Sequence, residues 1–140
     1  GDVRLGVVSD LGHVTPFVIE KFQGLSGVLL ESNYDPDMLW RGRYPEMIKR
    51  RIDSPLGHLS NAQSAGLLAA IAHEDLDVVI GHVSEQNNHP DLLDATFSPL
   101  RERVARLQVA TQDEGIHWID VNWAGNTPPL FPEYASPAAG

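Results

Sequence analysis

Three stretches of this chain place ligand-capable side chains directly behind an apolar run. The run at residues 3–8 leads into Ser9 and Asp10, and that at residues 27–30 into Glu31-Ser32-Asn33-Tyr34-Asp35. The run at residues 77–80 leads into Gly81 and His82. A carboxylate in the place of Asp10 sits on a rigid element and can bridge two metal ions; it can equally be a turn or helix-entry aspartate. A neutral imidazole in the place of His82 is a good ligand for zinc, manganese or iron, or a structural histidine, and Gly81 lets the backbone turn sharply beside it. His58 stands just ahead of a helix start, where it can meet a phosphate oxygen or pass a proton to a leaving group. His13 reads as a loop histidine or a donor behind the ligands. Residues 84–88 form a very polar loop leading to Pro90, while His73, His89 and His117 read as surface or loop residues.

The elements that must position these residues alternate. Residues 3–8, 27–30, 77–80 and 107–110 read as buried strands, with a further strand at residues 118–121. Thr15 caps a helix that opens on Pro16 and runs to about residue 23. Short helices follow Asp35-Pro36 and Pro45. Ser60 and Gln63 make a capping box for the clearest helix, whose apolar stripe is Ala65, Leu68, Ala69 and Ala72. Pro90 opens a last helix, to about residue 103. Residues 122–140, rich in Pro, Gly and Ala, read as an extended tail. Alternating strands and helices predict an α/β layered fold, and in such folds ligands gather at the carboxyl ends of the strands.

The 140 residues suit one compact domain or a large piece of one, and 42% hydrophobic residues can build a core. No cysteine is present, so a metal must be held by His, Asp or Glu. A formal charge of −9 repels nucleic-acid phosphates at long range. Against it, Arg41, Arg43, Lys49, Arg50 and Arg51 are half of the ten Lys and Arg residues; they can grip phosphates or form a solvated face. No apolar run approaches the ~20 residues that span a bilayer, and no signal peptide is visible, so a cytoplasmic setting is expected. The chain has no initiator Met and opens almost at once on a strand pattern, as a trimmed or processed chain would. Nucleotide-binding glycine loops and the hydrolase elbow G-x-S-x-G are absent, as is H-x-H-x-D-H.

In order and spacing, V-V-S-D-L-G-H-V-T-P, L-L-E-S-N-Y-D-P-D-M-L, G-H-L-S-N and G-H-V-S-E-Q-N-N resemble the C-terminal half of a metallo-β-lactamase-fold hydrolase. The nearest branch holds bacterial phosphodiesterases and proposed DNA exonucleases, and L-Q-V-A-T-Q-D-E-G resembles its closing strand. The resemblance covers residues 3–121 and implies half of an αββα sandwich over residues 1–121. It implies that Asp10 bridges two divalent ions (Zn or Mn), that His82 is the last histidine ligand, and that His58 lies near the substrate phosphate as a proton donor. Asn33 and Asn88 match polar, substrate-side loop residues. The substrate class implied is a phosphodiester, as in nucleic acid. H-x-H-x-D-H belongs to the N-terminal half of such domains. Asp10 and His82 alone cannot hold two ions, so this chain is expected to be inactive until it meets that half or self-associates. A non-catalytic binding or scaffolding domain, or a thioester or lactone hydrolase of the same fold, are the other expectations.

Overall fold

The structure, a computed structural model, describes residues 2–113 and 115–116. Among them, strands β1 (Leu5–Val8), β2 (Gly27–Glu31), β3 (Asp77–Gly81) and β4 (Arg106–Val109) form one parallel sheet in the order β1-β2-β3-β4. Helix α1 (Pro16–Lys21) joins β1 to β2. Helices α2 (Pro36–Arg41), α3 (Glu46–Ile52) and α4 (Asn61–Ile71) lie between β2 and β3. Helix α5 (Pro90–Phe97) and a 3-10 helix (Ser98–Arg103) lead to β4. The α/β class read from the sequence is therefore the class observed.

Strands that neighbour one another in chain order, joined by right-handed crossovers, must carry their helices on one face. Burial follows that rule. Val28, Leu30, Val78 and Ile80 face a core shared with Leu67, Leu68 and Ile71 of α4 and Leu93 and Phe97 of α5. The opposite face is apolar and open: Val7 pairs with Leu29 and Leu29 with Val79, yet Val7 is 64% and Leu29 42% exposed. Among the described residues nothing covers it. Parallel sheets ordinarily bury both faces, so this one has the form of half a sandwich.

Local chemistry sets the helix starts. The Thr15 hydroxyl accepts from the Val18 amide at 3.2 Å, and the Asp35 carboxylate from the Met38 amide at 2.9 Å, each with proline in the first turn. Ser60 and Gln63 close the capping box. The stripe of α4 is turned from the expected one: Leu67, Leu68 and Ile71 are its buried centre, and Ala65, Ala69 and Ala72 lie at its flank. The bulkiest side chains bury the most area and so set the axis. The helix expected over residues 90–103 ends at Phe97, because Pro99 has no amide for the next helical bond and the chain tightens into 3-10 turns. His73 is half-buried and bonds the Leu25 carbonyl at 2.7 Å, and His89 caps α5; both are structural. The strand expected at residues 118–121, His117 and the tail at residues 122–140 lie outside the described residues. No helix among the described residues is long and apolar enough to cross a membrane.

Candidate metal centre

Because the strands are parallel and in register, their carboxyl ends share one edge. Val8, Leu30 and Ile80 stand side by side. Two residues beyond Val8 is Asp10, one beyond Leu30 is Glu31, and two beyond Ile80 is His82. Asp10 and His82 turn off their strands in the same way, both in the left-handed backbone region (φ 54° and 52°). That conformation costs roughly 1–2 kcal/mol in a residue with a Cβ, and such strain persists where the surroundings impose it, most often at functional sites.

His58 arrives from the loop between α3 and α4. Its backbone amide bonds the Ile52 carbonyl at 3.1 Å, and Gly57 lies flat against the end of α3. Gly12, in the loop after Asp10, packs on the backbone of Ser54, Pro55 and Gly57. These two glycines let the Asp10 and His58 loops interlock, and the two side chains come within 3.4 Å.

Glu31 is the centre of the cluster. Its side chain is fully buried, and Oε1 lies 2.8 Å from His58 Nδ1 and 2.5 Å from His82 Nδ1. Its Oε2 accepts the Leu59 amide at 3.4 Å. The two imidazole rings stand edge to face, 5.1 Å between centroids. Donor atoms of Asp10, Glu31, His58 and His82 all lie within 4.8 Å of one another. Two imidazoles and two carboxylates are a donor set suited to a first-row divalent ion. The expected residues Asp10, His58 and His82 are thus brought together. Glu31, to which the sequence reading assigned no role, joins them. The signal for it was the one used for Asp10: a carboxylate directly behind an apolar run.

Asn33 and Asn88 lie close by, with their amides turned to the protein. Asn33 Nδ2 donates to the His82 carbonyl at 2.8 Å. Its own amide donates to the Leu59 carbonyl at 2.9 Å, and its carbonyl accepts from the Ser84 amide at 2.9 Å. One residue therefore ties the His58 loop to the His82 loop. Asn88 and Asn61 exchange two amide bonds (2.8 and 2.9 Å), and both contact Ser32. Beneath, Tyr34 donates to Asp53 at 2.7 Å; burial first, then that hydrogen bond and charge, hold its phenol well above the ordinary tyrosine range. His58 and His82 open on a cavity of about 340 Å³ that Asn33, Tyr44, Ile52 and Gln112 also line.

The bond from Asn33 to the His82 carbonyl carries a prediction. Asn33→Asp has the same shape but sets a carboxylate against that carbonyl. Its affinity for Mn²⁺, by isothermal titration, is expected to fall about 10- to 100-fold, the usual cost of losing a partner that orients a ligand. Unchanged affinity with an intact circular dichroism spectrum would remove Asn33 from that role.

No family model matches the chain, and no solved structure matches it. Among curated proteins it is 35% identical over 100 residues to exodeoxyribonuclease YycJ of Bacillus anthracis, across 71% of this chain and 38% of that protein. It is 32% identical over 97 residues to exodeoxyribonuclease WalJ in two strains of Streptococcus pneumoniae, across 69% of this chain and 36% of that protein. The chain therefore aligns with little more than a third of the length of these relatives.

Proposed function

We propose that this chain is the C-terminal half of a divalent-metal phosphodiesterase that hydrolyses DNA. The observation that carries this reading is the convergence of Asp10, Glu31, His58 and His82 within 4.8 Å at the edge where three parallel strands end. The similarity to proteins named exodeoxyribonuclease points to the substrate class.

Asp10 and His82 are the metal ligands in this reading. A divalent ion held there would lower the pKa of bound water and stabilise the charge that builds on phosphate oxygens. Glu31 orients the pair: its Oε1 accepts from His58 Nδ1 at 2.8 Å, which sets that ring in the Nδ1–H tautomer, and the same oxygen lies beside His82 Nδ1. His58, facing the cavity, delivers its proton to the leaving oxygen, and the buried carboxylate behind it stabilises the imidazolium that precedes transfer. Asn33 and Asn88 hold the loops.

Two ions (Zn or Mn) need more donors than this chain offers. The open apolar face at Leu5, Val7 and Leu29 is where a second half-domain would pack, supplying the H-x-H-x-D-H ligands. The test is to combine the chain with that half of a relative and assay nucleotide release from DNA with Mn²⁺ or Zn²⁺. Hydrolysis is expected only with both halves and metal, and is expected to stop with chelator. Full activity in Asp10→Ala, or none in any combination, would overturn the assignment.

A further inference from the structure

We propose that the carboxamide of Asn87 binds the uncharged nucleoside part of the substrate's terminal nucleotide, in the cavity beside His58 and His82. The inference rests on the hydrolase reading above and adds a substrate contact to it.

Asn87 lies in the loop between β3 and α5. It is 3% exposed and lines that cavity with both histidines. Its main chain is held: the amide bonds Ser84 Oγ at 3.1 Å, and the carbonyl accepts the Asp35 amide at 2.8 Å. Its side chain is not. Among the described residues, neither Oδ1 nor Nδ2 of Asn87 has a protein partner, and both reach open space, since the one sealed and unpartnered side-chain atom is Ser64 Oγ. The next residue differs. Asn88, which the resemblance placed on the substrate side, commits both ends of its amide to Asn61, Ser32 and the His89 N–H. A nearly buried carboxamide without a partner is unfavourable, and native structures hold few of them. The amide left for a ligand is therefore that of Asn87.

Charge decides which part of the substrate it meets. The cavity lining holds no Lys or Arg and one carboxylate, Glu85; apart from the two histidines its other polar residues are neutral. One phosphate could rest on an ion at Asp10 and His82, but a second would find no cation there. A base or sugar is uncharged and carries both donors and acceptors, and a carboxamide offers both in return. The volume, about 340 Å³, is near the small end of ligand sites and suits a single nucleoside.

The experiment is a heteronuclear NMR titration of the full chain with thymidine monophosphate and, separately, with inorganic phosphate, once in chelator and once with Zn²⁺. The side-chain NH₂ signals of Asn87 are expected to shift with the nucleotide and not with phosphate, while those of Asn88 stay in place. Asn87→Ala should weaken nucleotide binding about 5- to 10-fold, the share of one hydrogen bond to a neutral group. It should leave the affinities for phosphate and Zn²⁺ unchanged. Asn87→Asp, of the same shape but without the donor, should bind the nucleotide no better than the Ala variant. Because the amide bonds nothing in the protein, the Ala variant should melt no lower than the parent, so lost binding is not lost fold. Parent-like nucleotide binding in either variant, an equal loss for phosphate, or no shift of the Asn87 signals in either arm would overturn the assignment. The chelator arm needs no metal, so failure of the metal site leaves its result standing. This result beside a complemented enzyme that leaves DNA intact would overturn the hydrolase reading and keep the nucleoside site.

Discussion

Glu31→Gln is expected to be the most damaging single-atom change in this chain. The carboxylate does three things at once: Oε1 meets both Nδ1 atoms and Oε2 accepts the Leu59 amide. A glutamine has one acceptor and one donor end, so it fails in either orientation. With its oxygen toward the histidines, its NH₂ faces the Leu59 N–H, donor against donor. Flipped, the NH₂ meets His58 Nδ1 and drives that imidazole into the opposite tautomer. The charge that would stabilise a protonated His58 is lost in both cases. By analogy with the loss of the buried carboxylate in a catalytic triad, kcat in the complemented enzyme should fall about 10³- to 10⁴-fold. Mn²⁺ affinity should fall about 10- to 100-fold beside it. Calorimetry and steady-state kinetics read the two effects separately. A variant within about threefold of the parent in both would show that Glu31 is a bystander.

Gly57→Ala is expected to cost both stability and activity. A Cβ at Gly57 would stand 2.1 Å from the Ile52 carbonyl oxygen and 2.3 Å from that of Arg51. Both atoms are backbone, so no side chain can swing aside. Relief requires the loop to move by more than an ångström, and His58 is the next residue. Overpacking of this kind costs about 1–3 kcal/mol, and a 1 Å misplacement of a reacting group costs about 100-fold in rate. Urea denaturation and kcat/KM of the complemented enzyme measure the two. Gly66→Ala is the matched control: a Cβ there meets nothing within 4 Å, inside α4. It should gain about 0.5–1 kcal/mol and leave activity alone. A Gly57→Ala variant as stable and active as the Gly66→Ala control would show that the loop is slack.

Much of the scaffold was legible in the sequence because its causes are local. Four apolar runs marked the observed strands, and Thr15-Pro16, Asp35-Pro36 and Ser60-x-x-Gln63 marked helix starts through caps made within four residues. The buried stripe of α4 lies one position from the Ala65-Leu68-Ala69-Ala72 pattern, since which of several apolar residues faces inward depends on what it meets. The break at Phe97 is written in Pro99, which cannot continue the helix expected to residue 103.

Sequence alone determined that Asp10 and His82 follow apolar strands, that any metal here must be held by oxygen and nitrogen donors, and that the basic residues cluster. Only the tertiary structure decided that Glu31 is shared by His58 and His82, residues 27 and 51 positions away from it. It also decided that the amide of Asn33 turns to the His82 carbonyl, and that Gly12 and Gly57 let two loops touch. The physical reason is that caps and strand patterns arise from neighbours along the chain. Convergence of this site arises from parallel register and crossover packing, which set side chains from distant segments on one edge.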